Sequence, residues 1–208
     1  MSEKIITGHG REGIEKLGTP GLEQIKGKML IAHRDWLKHR LSPNDPAKAD
    51  LSYFWSLLPK ETREVFGNGI LAGSFYDFRH MIRFDDAIVR VAGGDRAAIL
   101  RGLGEYSAEH NIPKNAIIGS VHQFFDFSTK LHRQFQSYGS SEYRQMSERA
   151  GTMVYSGVES CHSPIFCASS VGFFRGALRL FGHADANVRE ISCTCLGGET
   201  CSFLMEWS

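Results

Sequence analysis

Cysteine is the residue type in this chain whose spacing most suggests chemistry. Of the five cysteines, Cys193, Cys195 and Cys201 lie close together in the segment EISCTCLGGETC. A thiolate can bind zinc, and it can act as a nucleophile where its surroundings lower its pKa. A buried thiol can also pack as a small apolar group. Which of the three uses applies depends on how the helices and strands position these cysteines.

The last three cysteines lie in a pattern that is typical of a β-hairpin. Ile191, Cys193 and Cys195 alternate with polar residues, and a second alternating run begins at Cys201, after the turn LGGET. A period of two on both sides of a short loop with glycine predicts two antiparallel strands. We therefore expect all three cysteines to point toward the core.

A predicted helix before the hairpin brings another cysteine to the same side. The segment SPIFCASSVGFFRGALRLFGH predicts a helix that is capped by Ser163 and ends at Gly182, with Cys167 on its apolar face. If this helix lies above the strands, Cys167, Cys193 and Cys201 could supply three ligands of a tetrahedral zinc site.

The spacing leaves zinc binding and core packing both open. The nearest acid, Glu190, alternates to the opposite face of its strand, so it would need a β-bulge or a partner chain to become the fourth ligand. The CxxC spacing of many zinc sites is absent. Cys161, which directly precedes His162 near the predicted helix start, is a separate candidate for a nucleophile.

The charge balance excludes several classes of partner. Lys and Arg number 24 against 23 Asp and Glu in the 208 residues, so the net charge gives no general attraction to nucleic acid or to anionic lipid. No apolar run reaches the roughly 18 residues of a membrane helix, and the first residues lack the apolar stretch of a signal peptide. We expect a cytoplasmic protein that does not insert into membranes.

The order of the predicted elements indicates the fold class. Amphipathic helices are predicted in the segments RHMIRFDDAIVRVAG, DRAAILRGLGEYSAEH and NAIIGSVHQFFDFSTKLHRQFQ, and strands follow after Gly151. This order predicts an α+β fold, with helices packed on one side of an antiparallel sheet that ends in the C-terminal hairpin. We expect residues 1–25 to form an N-terminal arm and residues 26–208 a single ligand-binding-like domain.

Aromatic and aliphatic side chains on two helices predict a ligand cavity. Phe124 and Phe125 belong to the apolar stripe of the longest helix, and Phe174 and Leu178 lie on the helix that follows Ser163. Because ligand pockets are mostly apolar, we expect these four residues to bind a small apolar molecule in a cavity larger than one side chain.

A stripe of small residues predicts a close helix contact. Ala168, Gly172 and Gly176 recur at helical spacing on the helix that follows Ser163. We interpret the stripe as a surface where a second copy of the chain could approach. The prediction is therefore a homodimer.

The C-terminal segment ISCTCLGGETCSFLMEW resembles the closing strands of the 4-vinyl reductase domain, a ligand-sensing module related to the TRAPP fold. Upstream segments such as FFRGALRLFGH are similar to an uncharacterised bacterial family that is frequent in myxobacteria. The resemblance implies a sensor in which three cysteines and an acid hold zinc beside an apolar pocket. Cys167, Cys193 and Cys201 match the three cysteine positions, and Glu190 is the nearest acid.

These observations favour a non-enzymatic regulatory module that binds a small hydrophobic molecule, a signalling partner protein, or both. One alternative is a scaffold or adaptor protein without a ligand. Another is a reductase-like accessory enzyme of tetrapyrrole metabolism, as the resemblance implies. The sequence contains no HExxH motif and no glycine-rich phosphate loop, so no enzymatic site is predicted.

Overall fold

The computed structural model of the protein describes residues 21–117, 119–158 and 163–208. Within these ranges the chain has the predicted α+β fold. The helices are α1 (Gly27–Leu41), α2 (Ser52–Leu57), α3 (Lys60–Phe66), α4 (Phe78–Ala92), α5 (Arg96–Asn111), α6 (Val121–Lys130), α7 (His132–Phe135) and α8 (Pro164–Leu180). The strands are β1 (Gln24–Lys26), β2 (Phe75–Asp77), β3 (Ser140–Ser147), β4 (Ala150–Ser156), β5 (Asn187–Ser192) and β6 (Cys201–Glu206).

The main sheet is antiparallel, with the strand order β3-β4-β6-β5. Strands β5 and β6 form the predicted C-terminal hairpin, in which Asn187 pairs with Glu206 and Glu190 pairs with Phe203. Because alternate side chains of a strand point to opposite faces, Cys201 and Phe203 both turn toward the core, where they are buried. A separate two-stranded sheet pairs β1 with β2.

Helix α8 covers the main sheet and carries Cys167. The side chain of Ser163 accepts a hydrogen bond from the backbone N–H of Phe166, and Pro164 occupies the first turn, where no helical hydrogen bond is lost. Most residues of α8 are buried because α8 packs against β5 and β6 as well as against helix α5. This packing fixes the height of Cys167 above the hairpin.

Helices α5 and α8 approach each other at bare backbone. A Cβ atom added to Gly172 would overlap the carbonyl oxygen of Arg101, and one added to Gly104 would overlap the carbonyl oxygen of Ser169. A Cβ atom on Gly176 would also press on α5, at 2.9 Å from the Cβ of Ala108. The stripe of small residues is therefore an internal contact with α5, and the interpretation of this stripe as a homodimer surface is wrong.

The first described residues pack on the body of the protein. Strand β1 crosses the predicted boundary between residues 25 and 26, and Ile25 is fully buried. The N–H of Gln24 also bonds to the hydroxyl oxygen of Ser137 at 2.9 Å. The rest of the predicted arm, residues 1–20, lies outside the described residues. In the described part of the chain, no helix combines the length and the apolar character needed to cross a bilayer.

Candidate functional site

A cavity of about 180 Å³ lies between helices α1, α5, α6, α7 and α8 and the facing side of strands β3 and β4. Phe127, which belongs to its wall, is 54% exposed and marks the side where the cavity meets solvent. The apolar lining residues include Met29, Ile112, Ala116, Phe124, Phe125, Leu131, Phe135, Met153, Phe166, Phe173 and Phe174.

Three of the four predicted ligand-binding residues line this cavity. Phe124 and Phe125 come from α6 and Phe174 from α8, and the rings of Phe125 and Phe174 meet edge to face at 5.9 Å. Leu178, one turn further along α8, is fully buried in the core and is not a lining residue. The assignment of these residues to ligand binding stays a prediction.

A buried histidine–aspartate pair stands at the cavity wall. His33 on α1 lines the cavity, and its Nδ1 lies 2.7 Å from Oδ1 of Asp85 on α4. Both side chains are almost fully buried, and His33 Nε2 and Asp85 Oδ2 have no hydrogen-bond partner. Burying a polar atom without a partner is costly, so such a pair is unusual in a protein interior. His33 is the member of the pair that lines the cavity.

Two further polar side chains lie at the wall beside α7. The Nε2–H of His132 donates to the carbonyl oxygen of Tyr138 at 2.7 Å. Burial lowers the pKa of His132, so the ring is neutral near pH 7. Gln136 is also buried, and its Oε1 has no hydrogen-bond partner. The cavity therefore offers a few polar atoms within an otherwise apolar surface.

His33, Asp85 and Gln136 were not predicted as site residues. A signal was available for the first two, because each interrupts an apolar stripe at helical spacing. Leu30, His33 and Leu37 share the inner face of α1, and Asp85 lies between Met81 and Ile88 on the inner face of α4.

The second candidate site is a thiol cluster below α8. The Sγ atom of Cys167 lies 4.0 Å from Sγ of Cys193 and 3.7 Å from Sγ of Cys201. With Glu190 these cysteines form a buried group whose candidate ligand atoms all lie within 4.8 Å of one another. Ligand atoms on one tetrahedral metal ion would be separated by similar distances.

A β-bulge brings Glu190 into this cluster. Glu190 pairs with Phe203, but the next pair joins Ser192 to Ser202, so the ladder slips by one residue between them. This slip reverses the alternation at the end of β5. Glu190 is buried, whereas Ile191, which was predicted to face the core, is 43% exposed.

Crowding strongly perturbs the acid–base properties of the cluster. Hydrogen bonds to Cys193 and Cys201, together with burial, raise the pKa of the Cys167 thiol. Hydrogen bonds from the neighbouring thiols, that of Cys167 first, lower the pKa of Cys193 and favour its thiolate. Burial raises the pKa of Glu190 to about 7. The shifts favour a thiolate at Cys193 and a neutral thiol at Cys167.

Cys195 neighbours the cluster through a hydrogen bond to Cys193 but is not among the four convergent ligand residues. Cys195 lies in the 3₁₀ turn Thr194–Leu196 after β5 and is half-buried, because this turn ends the strand alternation on which its prediction rested. Cys161 and His162, the candidate nucleophile and its neighbour, lie outside the described residues.

Comparisons with known proteins give a fold but no family. No family model and no curated protein matches the chain. Its fold is similar to an oxygen-binding H-NOX domain related to soluble guanylate cyclases, with a TM-score of 0.60, 14% identity and coverage of 88% of this chain and 95% of that chain. The Fe(II) unliganded H-NOX protein from K. algicida gives a TM-score of 0.62 at 10% identity, with coverage of 88% of this chain and 97% of that chain.

These comparisons correct two predictions. The resemblance to the 4-vinyl reductase domain is wrong, because the chain shares its fold with solved H-NOX domains. The prediction of zinc as the cofactor is wrong on the same finding, since structures of this fold are described with heme. At identities of 10–15% the similarity concerns the fold alone.

The cavity of this chain does not fit heme. An engineered cavity of about 150 Å³ holds one benzene ring, and the four joined rings of a porphyrin need far more than the 180 Å³ present here. Among the described residues that line the cavity there is no Lys or Arg to bind the two propionates. His33 could offer a nitrogen to iron, but the space around it is too small. This chain therefore combines an H-NOX-like fold with a cavity much smaller than a porphyrin.

Proposed function

We propose that this protein is a non-enzymatic sensor that binds a small apolar molecule in the cavity between α5, α6 and α8. The observation that carries the proposal is the aromatic wall formed by Phe124, Phe125 and Phe174 around about 180 Å³ of space. Well-packed cores contain few voids larger than a water molecule. A cavity of this size weakens the core unless a ligand fills it, which favours a binding role over a pure scaffold.

The size of the cavity limits the ligand to about one or two small rings. A cavity of roughly 150 Å³ is enough for benzene, and this one is slightly larger. The fold similarity to a domain described as oxygen-binding also supports a role in binding a small molecule.

Benzene titration followed by calorimetry and thermal unfolding tests this proposal. Saturating benzene should raise the unfolding temperature, since a ligand at about 100 times its Kd adds roughly 2.7 kcal/mol to the stability. Ala116→Trp, at a half-buried lining position outside the main helices, should fill the cavity and abolish the effect. Ala49→Trp makes the same change at a half-buried position away from the cavity and should leave binding intact. Equal binding by both variants would refute the assignment of the site.

We further propose that the sensor passes its signal to a partner, either a signalling protein or a second copy of the chain. A signalling partner protein and a homodimer both remain predictions, and the homodimer no longer rests on the small-residue stripe of α8. Light scattering of the purified protein with and without benzene distinguishes a stable dimer from a monomer that associates on ligand binding. A ligand-free scaffold would bind no benzene. The cytoplasmic location also stays a prediction.

The thiol cluster supports a separate proposal about its residues. We propose that Cys167, Cys193 and Cys201, with Glu190, are a ligand set for a thiophilic metal ion. The support is the convergence of three sulfurs and one carboxylate, all buried, within 4.8 Å. Glu190 Oε1 has no hydrogen-bond partner, which a metal ion would satisfy. Elemental analysis of the purified protein identifies any ion that it carries.

A further inference from the structure

We infer that the ligand of the cavity is a neutral, mostly apolar molecule that carries one hydrogen-bond donor, such as an N–H or O–H group. This inference rests on the proposed binding function and assigns its ligand a chemical class. The evidence is that two residues lining the cavity each carry a buried acceptor atom without a partner, Nε2 in His33 and Oε1 in Gln136.

His33 is held in one tautomer. Its Nδ1 lies 2.7 Å from the carboxylate of Asp85, which accepts the Nδ1–H. In a neutral imidazole the other nitrogen then carries the lone pair and is an acceptor. This Nε2 has no partner, although the ring is almost fully buried. A donor on the ligand would satisfy it.

Gln136 provides a second acceptor, from a segment that is distant in sequence from His33. It follows helix α7, and its backbone N–H is already bonded to the carbonyl oxygen of His132 at 3.0 Å. The side-chain Oε1 is buried without a partner, and Gln136 lines the same cavity as His33. Two acceptors on different elements point to the same ligand property, because an unsatisfied buried acceptor costs free energy in the empty protein.

The rest of the wall excludes a charged ligand. The cavity's lining residues within the described ranges include no Asp, Glu, Lys or Arg. A carboxylate, phosphate or ammonium group would lose its hydration and find no opposite charge. The ligand is therefore neutral, with its donor as the polar anchor and its apolar body against the aromatic rings.

A series of bicyclic molecules of nearly equal shape tests this inference on the unmodified protein. Indole offers an N–H donor, indene offers no polar group, and benzofuran offers an acceptor at the same ring position. Calorimetric titration should give indole a Kd about 3- to 10-fold lower than that of indene, which is the range for one net hydrogen bond. Benzofuran should bind no better than indene.

Two variants then locate the acceptor. Gln136→Met keeps the side-chain length but removes the amide, and His33→Leu/Asp85→Leu removes both members of the buried pair so that no charge is left alone. Loss of the indole preference in at least one of them, with indene binding unchanged, supports the inference.

Three results separate failure of the inference from failure of the proposed function. Equal binding of indole and indene, or tighter binding of benzofuran, overturns the donor requirement while the cavity remains a binding site. An indole preference that survives in both variants places its acceptor elsewhere and also overturns the inference. If benzene and all three bicyclic molecules fail to bind, the proposed function itself is wrong.

Discussion

Tyr155 on β4 is paired with Cys201 on β6, so a single residue pair of the sheet connects the cavity with the thiol cluster. Tyr155 lines the cavity, and its ring lies 6.5 Å from that of Phe174, centroid to centroid. Burial, followed by the nearby Cys167 and Cys201, raises the pKa of its hydroxyl group, so the phenol stays neutral. A change in the cluster can therefore reach the cavity through a single side chain.

Cobalt uptake tests the thiol cluster. Co²⁺ added to the metal-free protein should produce thiolate charge-transfer absorption, because three sulfurs converge at the site. Cys193→Ser should lose most of this signal. Cys195→Ser changes a half-buried cysteine that neighbours Cys193 but is not in the ligand set, and this variant should keep the signal. A wild-type protein without the absorption, or equal signals from both variants, would count against the ligand set.

The close contact between α5 and α8 predicts that one added methyl group will strongly destabilise the protein. Gly172→Ala should destabilise the protein by about 3 kcal/mol or more, since the new Cβ would overlap the carbonyl oxygen of Arg101. Gly73→Ala is the matched control, because a Cβ at Gly73 meets no atom within 4 Å. Urea denaturation measures both. The helix packing described here would be refuted if the two variants had equal stability.

Buried histidines predict a loss of stability in mild acid. Burial lowers the pKa of His80, which is hydrogen-bonded to Thr62, and that of His132. At these two histidines the unfolded chain therefore binds more protons than the folded one, so their contribution to the free energy of unfolding should fall as the pH drops below about 6.5. His80→Gln removes one titrating ring and should flatten this dependence. Urea denaturation at several pH values measures the slope, and an identical slope in the variant would contradict the assignment for His80.

The bulge in β5 predicts an unusual contrast between two apolar residues of the hairpin. Ile191→Ala should cost less than about 1 kcal/mol, because the side chain is largely exposed. Phe203→Ala, at a fully buried position of β6, should cost about 3–5 kcal/mol. Thermal and urea unfolding of both variants check this. A large loss of stability in Ile191→Ala would contradict the bulge. It would support the uninterrupted alternation that the sequence predicted, in which Ile191 faces the core.

Local sequence patterns predicted the parts of this fold that are determined by interactions between residues close in sequence. Ser163 and Pro164 begin α8 because capping and proline preferences act within one turn. The hairpin of β5 and β6 follows from alternation around a glycine turn. These two elements together predict that Cys167, Cys193 and Cys201 lie on one side of the protein.

The features that escaped prediction depend on contacts between distant segments. No local pattern marks the slip after Glu190, which buries the carboxylate beside three thiols. The pairing of His33 with Asp85 joins two helices that are 52 residues apart. The small residues of α8 were correctly read as a close contact, but their sequence does not say which helix approaches.

The glycine contact between α5 and α8 also has a consequence for how the protein folds. Between these two helices the chain passes through α6, α7 and the hairpin of β3 and β4. Contacts over such a separation form only after a large loss of chain entropy, which slows folding. During synthesis, α5 and β4 are made before α8, so their apolar faces stay exposed until α8 packs against them. The ligand cavity, which all three elements line, is therefore among the last features of the protein to form.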